Sequence, residues 1–182
     1  MRIIAGKYKR TPIRTLEGDD VTRPTRDIVK EALFSTIDVD EDTSFLDLFS
    51  GSGSIGLEAL SRGAKTVVFN DSNRDAVRII EANLQKVNER REVFRLDYEE
   101  CIRKLDGRRF DYIYCDPPYR FDDHQKLFSL IEEHSLLSEN GILIMEVRKD
   151  TDLAETYPGV CQYKEKRYGI NKLLYYRKGD SK

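Results

Sequence analysis

Asp47-Leu48-Phe49-Ser50-Gly51-Ser52-Gly53-Ser54-Ile55-Gly56 decides the fold of this 182-residue chain. The run before it, Phe45–Phe49, is short and apolar and predicts a strand. The run after it, Ile55–Leu60, has helical spacing and predicts a helix ending near Gly63. Gly51, Gly53 and Gly56 therefore satisfy G-x-G-x-x-G in a strand–turn–helix context, where the spacing has a mechanical meaning. Glycines permit the tight turn and let a ligand approach the backbone closely.

Outward from this turn, strands and helices alternate. Thr66–Phe69, Val93–Leu96, Phe110–Cys115 and Ile142–Val147 read as strands, and Arg74–Val87, Tyr98–Leu105 and Gln125–Glu133 as helices. Such alternation signals βαβ units, a mostly parallel sheet and helices on both faces. The rhythm breaks at the C-terminus, where Val160–Tyr168 and Lys172–Arg177 flank Gly169-Ile170-Asn171 and predict an antiparallel hairpin. Residues 2–16 read as one or two small strands around a turn, and Pro24–Ile37 as a helix. The expected fold is α/β: a doubly wound, mostly parallel seven-stranded sheet with a C-terminal antiparallel hairpin and a small N-terminal β-hairpin and helix extension.

Two acids refine the ligand. Asp71 ends the next strand, 20 residues after Gly51, where a carboxylate can accept both ribose hydroxyls of an adenosine. Nicotinamide dinucleotides and S-adenosylmethionine both carry that ribose. Asp47 separates them. A carboxylate just before the glycine turn would face a pyrophosphate unfavourably, whereas S-adenosylmethionine presents an ammonium and a sulfonium. Asp97-Tyr98, after the third strand, would lie over the adenine.

Asp116-Pro117-Pro118-Tyr119 follows the fourth strand directly, so it faces the same crevice as the glycine loop. In isolation the tetrapeptide would also suit a Pro-Pro turn that stops a strand. Its chemistry fits one task well. The lone pair of an exocyclic amine on a nucleobase is delocalised into the ring. A carboxylate and a backbone carbonyl, each accepting one N–H, hold that nitrogen and favour its pyramidalisation, which frees the lone pair. Consecutive prolines stiffen the backbone that aims the Pro117 carbonyl, and Tyr119 offers a flat face for stacking a base. Amine-orienting logic of this kind does not distinguish guanine N2 from adenine N6.

With these motifs in place the chain resembles the Rossmann-like S-adenosylmethionine-dependent methyltransferases that modify amino groups of bases. More narrowly it resembles the RsmD-type family, which methylates guanine N2 of small-subunit (16S) ribosomal RNA. The resemblance spans nearly the whole chain. It includes Met1-Arg2-Ile3-Ile4-Ala5-Gly6-Lys7-Tyr8-Lys9, Thr22-Arg23-Pro24-Thr25-Arg26-Asp27 with Ala32-Leu33-Phe34, the glycine stretch, Asp116-Pro117-Pro118-Tyr119 and Arg167-Tyr168-Gly169. The tetrapeptide also occurs in adenine-N6 DNA methyltransferases, so the N-terminal segments are the more specific part. The resemblance implies that Asp47, Phe49 and the Gly51-Ser52-Gly53 loop hold the methionine end, Asp71 with Ser72 the ribose, and Asp97 with Tyr98 the adenine. It places Arg23, Pro24 and Thr25 beside the methionine carboxylate and target base, and it casts Asp116, Pro117, Pro118 and Tyr119 as the catalytic group. Asp71 is a departure, since family members more often carry Glu there. Residues 1–37 are then an extension on the RNA side, and 38–182 the methyltransferase domain.

Charge bears on the partner through its distribution. Lys and Arg total 31 against 33 Asp and Glu, a net charge of −2 that speaks against binding nucleic acid by bulk positive charge. Yet residues 1–30 carry 8 basic and 4 acidic side chains, and residues 162–178 carry 6 and 1. The ends read either as solvated basic segments or as an RNA footprint contacting phosphates, with Arg2, Lys7, Arg10, Arg23, Thr25 and Arg167 as candidates. Cys101, Cys115 and Cys161 are odd in number and widely spaced, and His124 and His134 match no ligand spacing, so no metal is expected. No apolar run reaches the roughly 18 residues of a membrane span, and no signal peptide is evident, so the cytoplasm is expected, with a monomer as the default state. The competing functions are an adenine-N6 methyltransferase, a nicotinamide-dependent oxidoreductase that would leave Asp47 and Asp116-Pro117-Pro118-Tyr119 unused, and a non-catalytic RNA-binding or assembly factor.

Overall fold

The structure, a computed structural model, describes residues 1–16 and 23–179, with the backbone alone for 23–26. Thr22 and Glu17–Val21 lie outside the described residues, as do the side chains of Arg23, Pro24 and Thr25. The element order is α1 (Arg23–Phe34), β1 (Ser44–Asp47), α2 (Ser54–Ser61), β2 (Thr66–Asn70), α3 (Arg74–Lys86), β3 (Glu92–Phe94), α4 (Tyr98–Lys104), β4 (Phe110–Cys115), α5 (His124–Glu133), β5 (Leu137–Arg148), β6 (Thr156–Tyr157), β7 (Val160–Tyr168) and β8 (Asn171–Lys178). The strands form one sheet in the order β3-β2-β1-β4-β5-β8-β7-β6. β3, β2, β1, β4 and β5 are parallel, and β8, β7 and β6 continue antiparallel.

Strand alternation builds the two layers. Leu46, Val68, Ile113 and Cys115 point to one face, where Cys101 and Ile102 of α4 and Leu127 and Ile131 of α5 cover them. Phe45, Val67, Phe69 and Tyr114 point to the other, covered by Leu33 of α1, Leu57 and Leu60 of α2, and Ile80 and Leu84 of α3. The chain leaves β1 toward β2 and β3, then returns to lay β4 on the opposite side of β1. The carboxyl ends of β1 and β4 thus form the switch point where an open α/β sheet binds ligands. The register pairs Asp47 with Tyr114 across it, so the glycine turn and Asp116 leave the sheet side by side.

Three details depart from expectation. Thr156–Tyr157 adds an eighth strand of two residues at the β7 edge. β5 begins at Leu137, five residues before the expected Ile142, because Leu137 already pairs with Phe110 ahead of a register shift. The N-terminal strands reduce to one antiparallel bridge, Arg2 with Pro12. Ile3 and Ile13 N–H donate across the arm to the Thr11 and Met1 carbonyls at 3.0 and 2.9 Å, and the segment between them bonds to α2. Ile4 and Ala5 N–H donate to Glu58 at 2.8 and 3.0 Å, Lys7 N–H donates to the Ser61 carbonyl at 2.8 Å and Tyr8 N–H to Ser61 Oγ at 2.9 Å. Ile3 and Ile13 pack in the same layer as Phe45 and Leu57. Among the described residues no helix is long and apolar enough to cross a membrane.

Candidate active site

A cavity of about 670 Å³ opens at the switch point, lined among others by Asp47, Gly51, Asp71, Tyr98, Asp116 and Glu146. Its floor is a set of loops tied together after β1, β2 and β3. Ser50 N–H donates to the Asn70 carbonyl at 2.8 Å, and Asn70 Nδ2 donates to the carbonyls of Leu48 and Leu96 at 3.1 Å each. Asp71 spans the next gap, its two oxygens accepting Gly51 N–H and Asn73 N–H at 2.8 Å each. Each carboxylate oxygen has a second lone pair for a ligand hydroxyl. Gly51 has φ +54°, and a Cβ there would meet nothing within 4 Å. Its backbone therefore faces open space in a conformation that favours glycine. Gly56 is the opposite case, since a Cβ would fall 2.3 Å from Phe69 Cε1, which lets α2 lie directly on β2.

Asp47 is almost wholly buried. Its Oδ2 accepts Gly56 N–H at 3.0 Å, while its Oδ1 has no hydrogen-bond partner among the described residues. Burial pushes its carboxyl up to about 7, helped by the nearby negative Asp71 and opposed by the Gly56 N–H. A buried acceptor with one oxygen unpaired is a receptor for a cation, because a positive group there restores the charged form that burial disfavours. The far end of the cavity is aromatic. Phe49, Tyr98 and Phe121 pack tilted or edge-to-face at centroid separations of 5.3 to 6.0 Å, with the Tyr98 hydroxyl fixed to Asp123 at 2.9 Å. Asp97 beside them caps α4 by accepting Glu100 N–H at 2.9 Å. Cation receptor, ribose acceptor and aromatic slot, in that order, fit S-adenosylmethionine.

Asp116 and Pro118 line the other half of the cavity. Phe121 N–H donates to the Pro118 carbonyl at 2.8 Å, closing the turn that returns Phe121 to the aromatic slot. Tyr119 is 76% exposed at the rim, with the Arg148 guanidinium 5.0 Å over its ring. Behind Asp116, the buried Tyr114 hydroxyl donates to Glu146, and Asn171 Nδ2 donates to the other Glu146 oxygen at 2.7 Å. Burial raises the Tyr114 phenol, and the negative charges of Glu146, Asp116 and Asp47 around it raise it further.

The family described as "Conserved hypothetical protein 95" matches residues 1–177 of the chain. "Putative rRNA methyltransferase YlbH" of Bacillus subtilis is 34% identical over 98% of this chain and 99% of that protein. "Ribosomal RNA small subunit methyltransferase D" of Haemophilus influenzae is 34% identical over 93% of this chain and 90% of its own length. The chain belongs to the RsmD-type methyltransferase family. The solved structure of "Putative methyltransferase yhhF from Escherichia coli" superposes on it with a TM-score of 0.83 at 27% identity, covering 98% of this chain and 97% of that one.

In this RsmD-type chain the expected cofactor residues Asp47, Phe49, Gly51, Ser52, Asp71, Ser72, Asp97 and Tyr98 all line one cavity, shared with Asp116 and Pro118. Gly53 stands just behind as the left-handed N-cap of α2, while Pro117 and Tyr119 are not among the lining residues. The basic candidates scatter. Lys7 pairs with Glu89 at 2.8 Å beyond the C-terminal end of α3, a helix length from the cavity. Arg2 and Arg10 are exposed on the arm, and Arg167 pairs with Glu165 at 2.6 Å near the β7–β8 turn. Sequence reading missed Phe121, Glu146, Asn171 and Lys30, which also line the cavity. Glu146 left a signal, being the lone charge in the apolar run Ile142–Val147. Lys30 left none, because its burial comes from the arm and from Glu58, both distant in sequence.

Proposed function

We propose that the chain methylates the N2 amine of a guanine in small-subunit ribosomal RNA by direct transfer from S-adenosylmethionine. One observation carries the reading: the Asp47 carboxylate, with one oxygen unpaired among the described residues, and Asp116 leave adjoining strands into a single cavity. When bound, S-adenosylmethionine supplies an electrophilic methyl group. Asp47 would pair with its ammonium, Asp71 would accept from its ribose hydroxyls, and Phe49, Tyr98 and Phe121 would enclose its adenine. Asp116 and the Pro117 carbonyl each accept one N–H of the target amine and hold the nitrogen lone pair toward the donor. Transfer would form the C–N bond and break the methyl C–S bond, with the thioether leaving with that electron pair; the amine would then turn acidic and lose its proton along the hydrogen bond to Asp116. Positioning supplies much of the rate, and the base reaches the cavity unpaired or extruded from its helix. The names of the relatives, which specify ribosomal RNA and its small subunit, support the substrate class. On this reading the substrate is small-subunit RNA in a small subunit or an assembly intermediate, and the enzyme acts as a cytoplasmic monomer.

The test is methylation of total RNA from cells lacking the protein, with labelled S-adenosylmethionine, followed by mass spectrometry of the nucleosides. N2-methylguanosine in small-subunit RNA is expected, and Asp116→Ala should abolish it while cofactor binding persists. N6-methyladenosine as the product would replace guanine with adenine in the reading. Tight NAD binding without S-adenosylmethionine binding would overturn the chemistry. Normal methylation by Asp116→Ala would remove the amine-orienting role.

A further inference from the structure

The wall behind Asp116 contains a group that the methyl-transfer chemistry leaves unused. Glu146 is an acid in the interior of β5, at the cavity surface, between Tyr114 on one side and Asn171 on the other. Both neighbours donate to it, the Tyr114 hydroxyl to one oxygen and Asn171 Nδ2 to the other at 2.7 Å. Two donors fix the plane of the carboxylate and hold it as an acceptor-only group. Two further lone pairs remain. Glu146 and Asp116 both line this cavity, and the charges of both reach the Tyr114 phenol. Asn171 is itself held in place, because β8 pairs it with Arg148 of β5 and with Tyr168 of β7.

We infer that Glu146, fixed by Tyr114 and Asn171, selects guanine by accepting the N1–H that adjoins the target amine. The inference rests on the proposed function and names the residue that sets its base specificity. With the exocyclic nitrogen held at Asp116, the ring atom beside it falls toward the neighbouring wall. In guanine that flank is N1–H, a donor. The adenine N6 amine is flanked by the N1 lone pair on one side and, beyond C5, the N7 lone pair on the other. The cytosine N4 amine is flanked by the N3 lone pair and a C–H. A fixed carboxylate therefore attracts guanine and repels the other two amino bases. A contact of this kind, lost or left facing a lone pair, discriminates by roughly 10- to 100-fold.

The test uses the full-length protein and an RNA whose methylated guanine has been mapped as described above. That guanine is replaced by 2-aminopurine, which keeps the N2 amine but has a lone pair at N1. Wild-type enzyme should prefer guanine over 2-aminopurine by roughly 10- to 100-fold in kcat/KM. Glu146→Gln, whose amide can donate to a ring lone pair, should lose most of that preference while binding S-adenosylmethionine as wild type does by calorimetry. A wild-type enzyme that uses both bases equally overturns the inference. So does a Glu146→Gln enzyme that slows on both bases by the same factor, which marks Glu146 as structural support only. A wild-type enzyme that makes no N2-methylguanosine at all overturns the proposed function instead, so the two failures are distinguishable.

Discussion

At the residue scale, Asp47 is built at a cost to the fold. Its unfolded carboxyl titrates near 3.9 and its folded one near 7. A raised folded value means that the native state holds the proton more tightly. The resulting stability is complete below about pH 4 and is lost as the pH rises toward 7. At pH 8 the ionised, buried carboxylate costs the fold on the order of a few kcal/mol. Asp47→Asn keeps an oxygen for the Gly56 N–H and removes the charge, so it should raise the melting temperature at pH 8 and leave it nearly unchanged at pH 4. The same substitution should abolish S-adenosylmethionine binding. In wild type, affinity should fall by up to about tenfold per pH unit between pH 7 and pH 5, because the protonated acid no longer attracts an ammonium. Calorimetric titration across that range checks this, and a flat wild-type profile would show that Asp47 does not face the cation. The placement of Asp47 and Asp71 on the cavity was legible in the sequence because each stands at the carboxyl end of a strand in an open α/β sheet. The roles of Asn70 and Asn83 were not. Asn83 sits mid-helix in α3 yet bonds the arm through Arg14 and the glycine loop through the Ser52 carbonyl, contacts that only the assembled layers create.

At the element scale, the N-terminal arm shows how tertiary contacts override local pattern. Its alternating Ile3, Ile4, Tyr8 and Ile13 read as strands, but of these four only Ile3 and Ile13 N–H bond across the arm, to the Thr11 and Met1 carbonyls, while Ile4, Ala5, Lys7 and Tyr8 N–H are claimed by α2. Glu58 is fully buried and collects Ile4, Ala5, Arg62 and, at 3.7 Å, the equally buried Lys30. Lys30 donates in turn to the Arg2 carbonyl at 2.6 Å and to Ser54 Oγ at 3.0 Å, beside the cavity. Burial lowers the Lys30 ammonium, while Glu58 pulls it back up. Removing one partner of such a pair leaves an uncompensated buried charge. Glu58→Ala should therefore destabilise the protein by about 3–5 kcal/mol in denaturant unfolding. Hydrogen exchange at Ile4, Ala5 and Tyr8 should accelerate more than at β1 or β4. Uniform acceleration across the sheet would mean that the arm is no separate unit. In sequence, Glu58 reads as an ordinary helix acid, so nothing local distinguished it. By contrast β1 to β4 were legible to within a few residues, since each is an apolar run that leads into a glycine turn, a capping residue or the two prolines. β6 escaped because two residues carry no periodicity.

At the scale of the whole molecule, folding redistributes the basic ends that composition suggested as an RNA footprint. In the hairpin, Lys166 donates to Thr36 at 2.7 Å, Lys172 is buried near Glu165, and Lys178 pairs with Glu139 at 3.1 Å. Arg177 lies over the Tyr163 ring at 5.1 Å. Lys7 is held by Glu89 on the far side of α3. Much of the excess charge thus holds the fold together. On the proposed function, the cations expected to meet a phosphate backbone are the exposed ones that follow β4 and β5, the strands that carry Asp116 and Glu146 to the cavity. Arg120 follows Tyr119 and is exposed. Arg148 covers the Tyr119 ring, and exposed Lys149 holds the β7–β8 turn through its N–H to the Ile170 carbonyl at 2.9 Å. An extruded base brings its own flanking phosphates to that mouth, and each neutralised phosphate releases counterions. Arg120→Gln with Lys149→Gln should weaken binding to the mapped RNA and reduce the slope of log affinity against log salt by roughly two. Lys7→Gln should alter neither. Fluorescence anisotropy over a salt series separates the cases. A slope that changes with Lys7 and not with the mouth residues would move the RNA path from the open end of the sheet to the helix ends behind it, and would leave Tyr119 and Arg148 without a partner there.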